Sequence, residues 1–269
     1  MASFSVVSNI ASANAQSNLH STQLGLQKAL NRLSSGFRIN VAGDDAAGLA
    51  VANAYRSEVA VINQGIRNAN DGLSELQIKD GALNNISTLL DRLSTLATQA
   101  ASGTATTDSR ATLQDEVDAI ITEIDREATV AGLDTQTGFS VFVSAETTAT
   151  NGVVSGSLTA VTTSTLGVNS IDINDIAAAK TAVGTIKSAV ETLGETQGAI
   201  GTLQNRLQFA ISLAQSQQVN TKAAESRIRD ANIAEESANM TRFNILTQSG
   251  IAALAQANQS TAAVLSLLR

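Results

Sequence analysis

The chain has 269 residues, a net charge of −7 and a mean hydropathy of +0.07, with no Pro, Cys or Trp and a single His. The lack of Cys excludes disulfides, thiolate metal sites and Cys nucleophiles, and the lone His20 cannot supply a two-histidine zinc ligand set. The acidic balance, without a basic, aromatic-interleaved patch or a Gly-Lys phosphate loop, excludes nucleic-acid binding and nucleotide chemistry, so no catalytic, cofactor or metal residue is assigned.

The N-terminal segment begins MASFSVVSNIASANAQ, with neither the basic n-region nor the apolar h-region of a secretory signal. No later run approaches the ~20 apolar residues that span a bilayer, so no membrane insertion is expected. Leu19, Leu26 and Leu33 repeat every seven residues, flanked by Leu30 and Phe37. This is a helix with a seam but few bulky residues, and Ser/Asn-rich helices of this kind are marginal alone. His20 sits on it as an ordinary polar residue.

Gly36 is a natural C′ stop for that helix, and FRINVAG after it is irregular. Asp44-Asp45 then open the next helix as N-cap and first-turn acid. Adjacent carboxylates on a helix point in different directions, which argues against an acid/base pair. Gly36, Arg38, Asp44 and Asp45 thus form a joint between two helical pieces.

With no proline to interrupt it, residues 44–101 read as one helix roughly 87 Å long at ~1.5 Å per residue. Its seven-residue row is Tyr55, Ile62, Ala69, Leu76, Leu83, Leu90 and Ala97. The companion row Val59, Ile66, Leu73 breaks at Asp80 and resumes on the other flank as Ile86, Leu93, Ala100, predicting a drifting seam with more than one neighbour. A shorter helix follows through Leu113, Val117, Ile120, Ile124 and Ala128, opened by Thr107 or Asp108.

Residues 139–173 switch to alternation. Phe139, Val141 and Val143 predict a strand, Asn151-Gly152 a hairpin turn, and β-branched pieces through Val161 and Ile171 further short strands. Residues 144–165 are dense in Ser and Thr, which ordinary strand and loop composition explains better than O-glycosylation of a surface loop. Another long helix carries Ala179, Ile186, Leu193, Ile200, Leu207, Ala214, Thr221 and Ile228, paired with Ile176, Val183, Val190, Gln197, Gln204 and Ile211. The last segment places Met240, Phe243, Gly250, Leu254, Ala257, Val264 and Leu268 on three/four spacing, with Thr247 and Thr261 between. Three Asn-x-Ser/Thr matches, at Asn85, Asn239 and Asn258, fall inside helical patterns and read as chance.

Charge is partitioned along the chain. Residues 1–43 and 237–269 hold five basic residues and no acid, leaving 12 basic residues against all 24 acids between them, or +5 at the ends and −12 in the middle. Nearly neutral, amphipathic ends suit a subunit packed beside many copies of itself, where a one-signed surface would repel.

LSSGFRINVAGDDAAGLAVANAY (33–55) resembles the N-terminal signature of bacterial flagellins, and Arg227–Arg269 resembles their C-terminal segment almost throughout. Similarity also covers 68–91 and 122–127, so most of the chain outside 139–175 is involved. Phe37 stands where Leu is usual, and Val41 and Gly43 replace a more typical Ser and Lys. The resemblance implies a mainly α fold: a long coiled-coil bundle with a small β-hairpin region and paired terminal helices, without large outer domains. It divides the chain into a terminal inner-tube domain (1–43 with 231–269, joint 34–43 included), a helical core (44–138 with 174–230) and the hairpin region (139–173).

The function implied is a self-polymerising subunit of the flagellar filament, which passes motor torque along a helical propeller. The terminal coiled coil would use Leu19, Leu26, Leu30, Leu33, Met240, Phe243, Leu254, Val264 and Leu268. Implied partners are further copies of the chain, an export chaperone on the C-terminal arm, the filament cap and the hook-associated proteins, with export through the flagellar type III apparatus to the cell exterior. Toll-like receptor 5 is a further implied partner, its contacts matching Arg92, Leu96 and Glu116, although Asp91 and Ser94 replace the Gln and Arg common in strongly stimulating flagellins. A hook–filament junction protein shares the terminal architecture and is the close alternative, which the ANQ…VLSLLR ending disfavours. A generic coiled-coil adaptor would leave the joint motif unexplained.

Overall fold

The computed structural model describes residues 8–144 and 152–266, with side chains through Ser260. In chain order it contains α1 (Ile10–Ser35), α2 (Ala46–Ala100), α3 (Thr107–Val130), β1 (Thr137–Phe142), β2 (Val153–Leu158), α4 (Ile176–Arg229) and α5 (Ile233–Ser266). The mainly α class with one small antiparallel hairpin matches the sequence reading. The chain forms two compact units, residues 1–57 with 220–269, and residues 58–219, so the division falls inside α2 and α4.

Helix ends follow local chemistry. Asn9 caps α1 by accepting from Ser12 N at 3.0 Å, and Gly36, at φ 74°, closes it with an N–H to Arg32 O. The cap of α3 is Thr106, one residue earlier than predicted; its side chain accepts from Ser109 N at 3.2 Å, which leaves Asp108 as the first-turn acid. Asp175 accepts from Ala177 N ahead of α4, and Asn232 from Ala234 N ahead of α5.

The core of the second unit rests on α2, and its seam is straighter than the bulky residues suggest. Ile62, Ala69, Leu76, Leu83, Leu90 and Ala97 are buried as predicted. The companion row runs unbroken as Gly65, Gly72, Lys79, Ile86, Leu93 and Ala100, all buried. The predicted row of Val59, Ile66 and Leu73 is half-buried, with Ile66 and Leu73 packed on the core, while two glycines and a lysine hold the fully buried positions beside it. The glycines are there because β1 lies against them. A Cβ on Gly65 would run into the Val143 carbonyl, and one on Gly72 would come within 2.7 Å of Val141 Cγ2. Ala82 and Leu96 are buried on a second flank, so the far half of α2 does serve more than one neighbour.

On α4 the predicted row from Ala179 to Ala214 is buried, while Thr221 and Ile228 are half-buried. Its buried companions are Ala182, Ala189, Thr196 and Leu203, not the row from Ile176 to Ile211, in which Val190 is exposed. Small residues again carry the seam where large ones drew the reading. Gln218 Nε2 reaches Asn63 Oδ1 at 2.5 Å and Gln197 Nε2 reaches Asn84 Oδ1 at 3.4 Å, a pairing that runs α4 antiparallel to α2 within this unit.

The two strands pair from Thr137↔Leu158 to Phe142↔Val153. That register puts residues 143–152 between the paired ends, so Asn151-Gly152 does not form a two-residue hairpin loop. Asn151 lies outside the described residues; Gly152 extends the ladder by accepting from Val143 N at 2.8 Å. Beyond β2 the described residues form no further strand. Val161, Leu166, Val168, Ile171 and Ile173 are buried in an irregular segment instead. Polar groups of α3 satisfy its backbone: Asp125 accepts from Thr163 N and Oγ1, and Gln114 bonds both Ile171 O and Ile173 N.

Candidate assembly site

The first unit is built on α1 and α5. Arg32 meets Glu236, Gly25 meets Phe243, Leu19 meets Gly250 and Asn9 Nδ2 donates to Ala257 O, which makes the pair antiparallel. Half-buried positions on α5 recur at Met240, Phe243, Thr247, Gly250, Leu254 and Ala257, as the sequence spacing predicted. On α1 they are Ala15, Leu19, Thr22, Leu26 and Leu33, with Ala29 fully buried.

Leu30 is corrected by this geometry. It is 45% exposed, whereas Ala29 beside it is buried. The side chains of Val264 and Leu268 lie outside the described residues.

Outside the seam, both helices expose large apolar side chains. Ile10, Leu24 and Leu30 on α1, and Ile245, Leu246 and Ile251 on α5, are all at least 45% exposed. These arms carry almost no charge, and a surface of that kind marks an interaction face.

The joint is knitted by backbone to the end of α4 and the link that leads to α5. Arg38 N donates to Arg229 O at 2.6 Å, Ala231 N donates to Gly36 O at 2.9 Å, and Phe37 bridges Asp230. The Arg229 guanidinium lies 4.2 Å from the centre of the Phe37 ring, which gives a physical use for the aromatic at this position. Arg38 Nη2 donates to Ile228 O at 2.7 Å, and Ile39 is buried.

The two aspartates divide the work differently from the prediction. Asp45 is the N-cap of α2, its Oδ1 accepting from Gly48 N at 2.9 Å. Asp44 precedes the helix and pairs with Lys28 Nζ at 2.7 Å while accepting from Asn40 N and Val41 N. The Lys28 hydrogen bond, with help from those N–H groups, holds the Asp44 carboxyl below the usual carboxylate range.

Sequence reasoning missed the Arg32–Glu236 bridge, at 2.9 Å with Glu236 buried. A signal existed: Arg32 and Glu236 are a basic and an acidic residue on or beside seams otherwise free of charge.

In the second unit Arg92 pairs with Glu116 at 2.7 Å on the surface. Leu96, grouped with them in the sequence reading, is 1% exposed and packs in the core, so it offers nothing to a partner. Among the described residues no group of His, Cys, Asp or Glu could hold a metal, and no helix is long and apolar enough to cross a membrane.

Residues 6–140 match the bacterial flagellin N-terminal helical region, and residues 183–268 match the bacterial flagellin C-terminal helical region. The flagellar filament 33 kDa core protein of Treponema phagedenis is 36% identical over 97% of this chain and 98% of its own length. The flagellin of Halalkalibacterium halodurans is 37% identical, again over 97% and 98%. Flagellin FlaB1 of Treponema pallidum is 36% identical over the same shares. With both terminal regions matched and relatives aligned from end to end, the chain belongs to the bacterial flagellin family.

Proposed function

We propose that this protein is the structural subunit of a bacterial flagellar filament: it polymerises with copies of itself and passes motor torque along a helical propeller. It is a structural protein, not an enzyme. The observation that carries the reading is the α1/α5 pair, which covers one seam and leaves Ile10, Leu24, Leu30, Ile245, Leu246 and Ile251 outward on arms that are almost free of charge. A filament interior supplies the cover such faces need, and near-neutrality avoids repulsion between stacked copies.

On this reading residues 1–43 with 231–269 form the inner tube, joint included, 44–138 with 174–230 form the surrounding core, and 139–173 form its hairpin region. Leu30 belongs to a contact between subunits rather than to the intramolecular coil. The subunit leaves the cell through the flagellar type III apparatus and works outside it. The export chaperone engages the C-terminal arm, and the cap and hook-associated proteins meet the same terminal helices. Recognition by Toll-like receptor 5 falls on Arg92 and Glu116, without Leu96.

Electron microscopy of seeded polymerisation tests the reading, with the full chain beside a version cut to residues 45–230. Long tubular filaments from the full chain alone are expected. Rings or discrete oligomers from the full chain would move the hook–filament junction reading ahead.

A further inference from the structure

The seam between α1 and α5 is repetitive enough to be ambiguous. Leu19, Leu26 and Leu33 are identical knobs one heptad apart, and the α5 seam that answers them mixes the large Met240, Phe243 and Leu254 with the smaller Thr247, Gly250 and Ala257. If one helix slid by seven residues, each leucine would inherit its neighbour's place at little loss. Apolar heptads alone therefore do not choose the register of the pair.

Two contacts in the structure do not repeat. The Phe243 ring of α5 lies directly on Gly25 of α1, so close that a Cβ there would be 2.7 Å from both Cε1 and Cζ. One heptad further along α5 the roles reverse, and Leu19 of α1 lies on Gly250, where a Cβ would be 3.2 Å from Leu19 Cδ1. A slip of seven residues would set Phe243 against Arg32 or Asn18, neither of which leaves room for a ring. It would also take Glu236, buried and bonded to Arg32 at 2.9 Å, to Gly25 or Ile39 and strand its charge.

We infer that Gly25 and Phe243 form a socket and key that set the register of the terminal helix pair, with the Arg32–Glu236 bridge as the charged check on the same register. Phe243 is the only aromatic side chain in α5 and Gly25 the only glycine in α1. The key therefore has one place to sit. The subunit's apolar outer face is then presented in one fixed arrangement, which in the filament reading, on which this consequence rests, is a condition for regular addition.

Disulfide formation in the full chain reads the register, because the sequence has no Cys to compete. Thr22 and Thr247 lie midway between the two glycine contacts, so Thr22→Cys with Thr247→Cys reports the observed register. Ala15→Cys or Ala29→Cys with Thr247→Cys reports a slip of one heptad in either direction. Oxidation is carried out in trimethylamine N-oxide at the plateau of helicity, so that the readout does not depend on polymerisation.

The parent should cross-link almost wholly through 22/247. Phe243→Ala should raise the two slipped products relative to it by about tenfold or more, as expected for loss of a packed aromatic. Gly25→Ala should do the same, and Gly25→Ala combined with Phe243→Leu should return the products to 22/247. Equal yields from all three pairs in the parent, or 22/247 alone in every variant, would overturn the inference. A parent that cross-links through 22/247 yet builds no filament would refute the filament reading and leave the socket standing.

Discussion

Asp44 is the residue whose environment most directly sets a pH dependence. Its carboxyl is held below the ordinary range by Lys28 and two backbone N–H groups, so the ionised form is favoured on folding. The stability this adds is present above the unfolded carboxylate value and is lost as pH falls through the lower folded one. Because Lys28 is half exposed, the contribution stays below about 1 kcal/mol at neutral pH. Asp44→Asn should lower the neutral-pH urea midpoint slightly and flatten its acid limb, which a urea series at several pH values would show. An unchanged acid limb would mean that another carboxylate carries it. Glycines provide a second contrast at this scale. Gly65→Ala drives a methyl into the Val143 carbonyl and should cost about 1–3 kcal/mol. Gly81→Ala meets open space on the same helix and should stabilise by up to about 1 kcal/mol. Urea denaturation of both variants separates the two; equal effects would contradict the packing described for β1.

At the scale of elements, the long rods were legible because bulky residues recur every seven positions, and Leu76, Leu83 and Leu90 are buried as that repeat requires. What was not legible was the companion row wherever small or charged residues stood in it: Gly65, Gly72 and Lys79 on α2, and Ala182, Ala189 and Thr196 on α4. Hydrophobicity does not distinguish a glycine that admits a strand from one in a loop. Bulk likewise points to Leu30 as a seam residue, whereas the buried residue beside it is the small Ala29. Hairpin strands were visible through alternation, but Asn-Gly drew attention to a turn that the register does not use. Of the site, the joint and the α5 seam could be read. Arg32–Glu236 left only the faint trace of two opposite charges beside nearly uncharged seams, and Phe37–Arg229 none, because each joins residues about 200 positions apart. Leu83→Ala should cost about 2–5 kcal/mol, as for any core leucine. Lys79, buried with a mostly exposed Glu75 as its partner, behaves otherwise: Lys79→Met should be neutral or stabilising. Thermal unfolding of the two variants checks this, and a large loss in Lys79→Met would show the lysine to be structural.

For the whole molecule, the partition of charge and the outward apolar faces of α1 and α5 converge on assembly through the chain ends. The acidic middle carries the net negative charge, and the filament reading proposed above has copies meet at the near-neutral arms. Two Ser/Asn-rich helices joined by a narrow seam have little to hold them before neighbours arrive, so the arms should order on polymerisation. Hydrogen exchange on soluble and polymerised protein measures this directly. Weak protection is expected across residues 10–35 and 233–260 in the soluble chain and strong protection in the polymer, with 62–100 protected in both. Strong protection of the arms in the soluble chain, or a gain confined to 58–219, would contradict ordering of the arms on polymerisation.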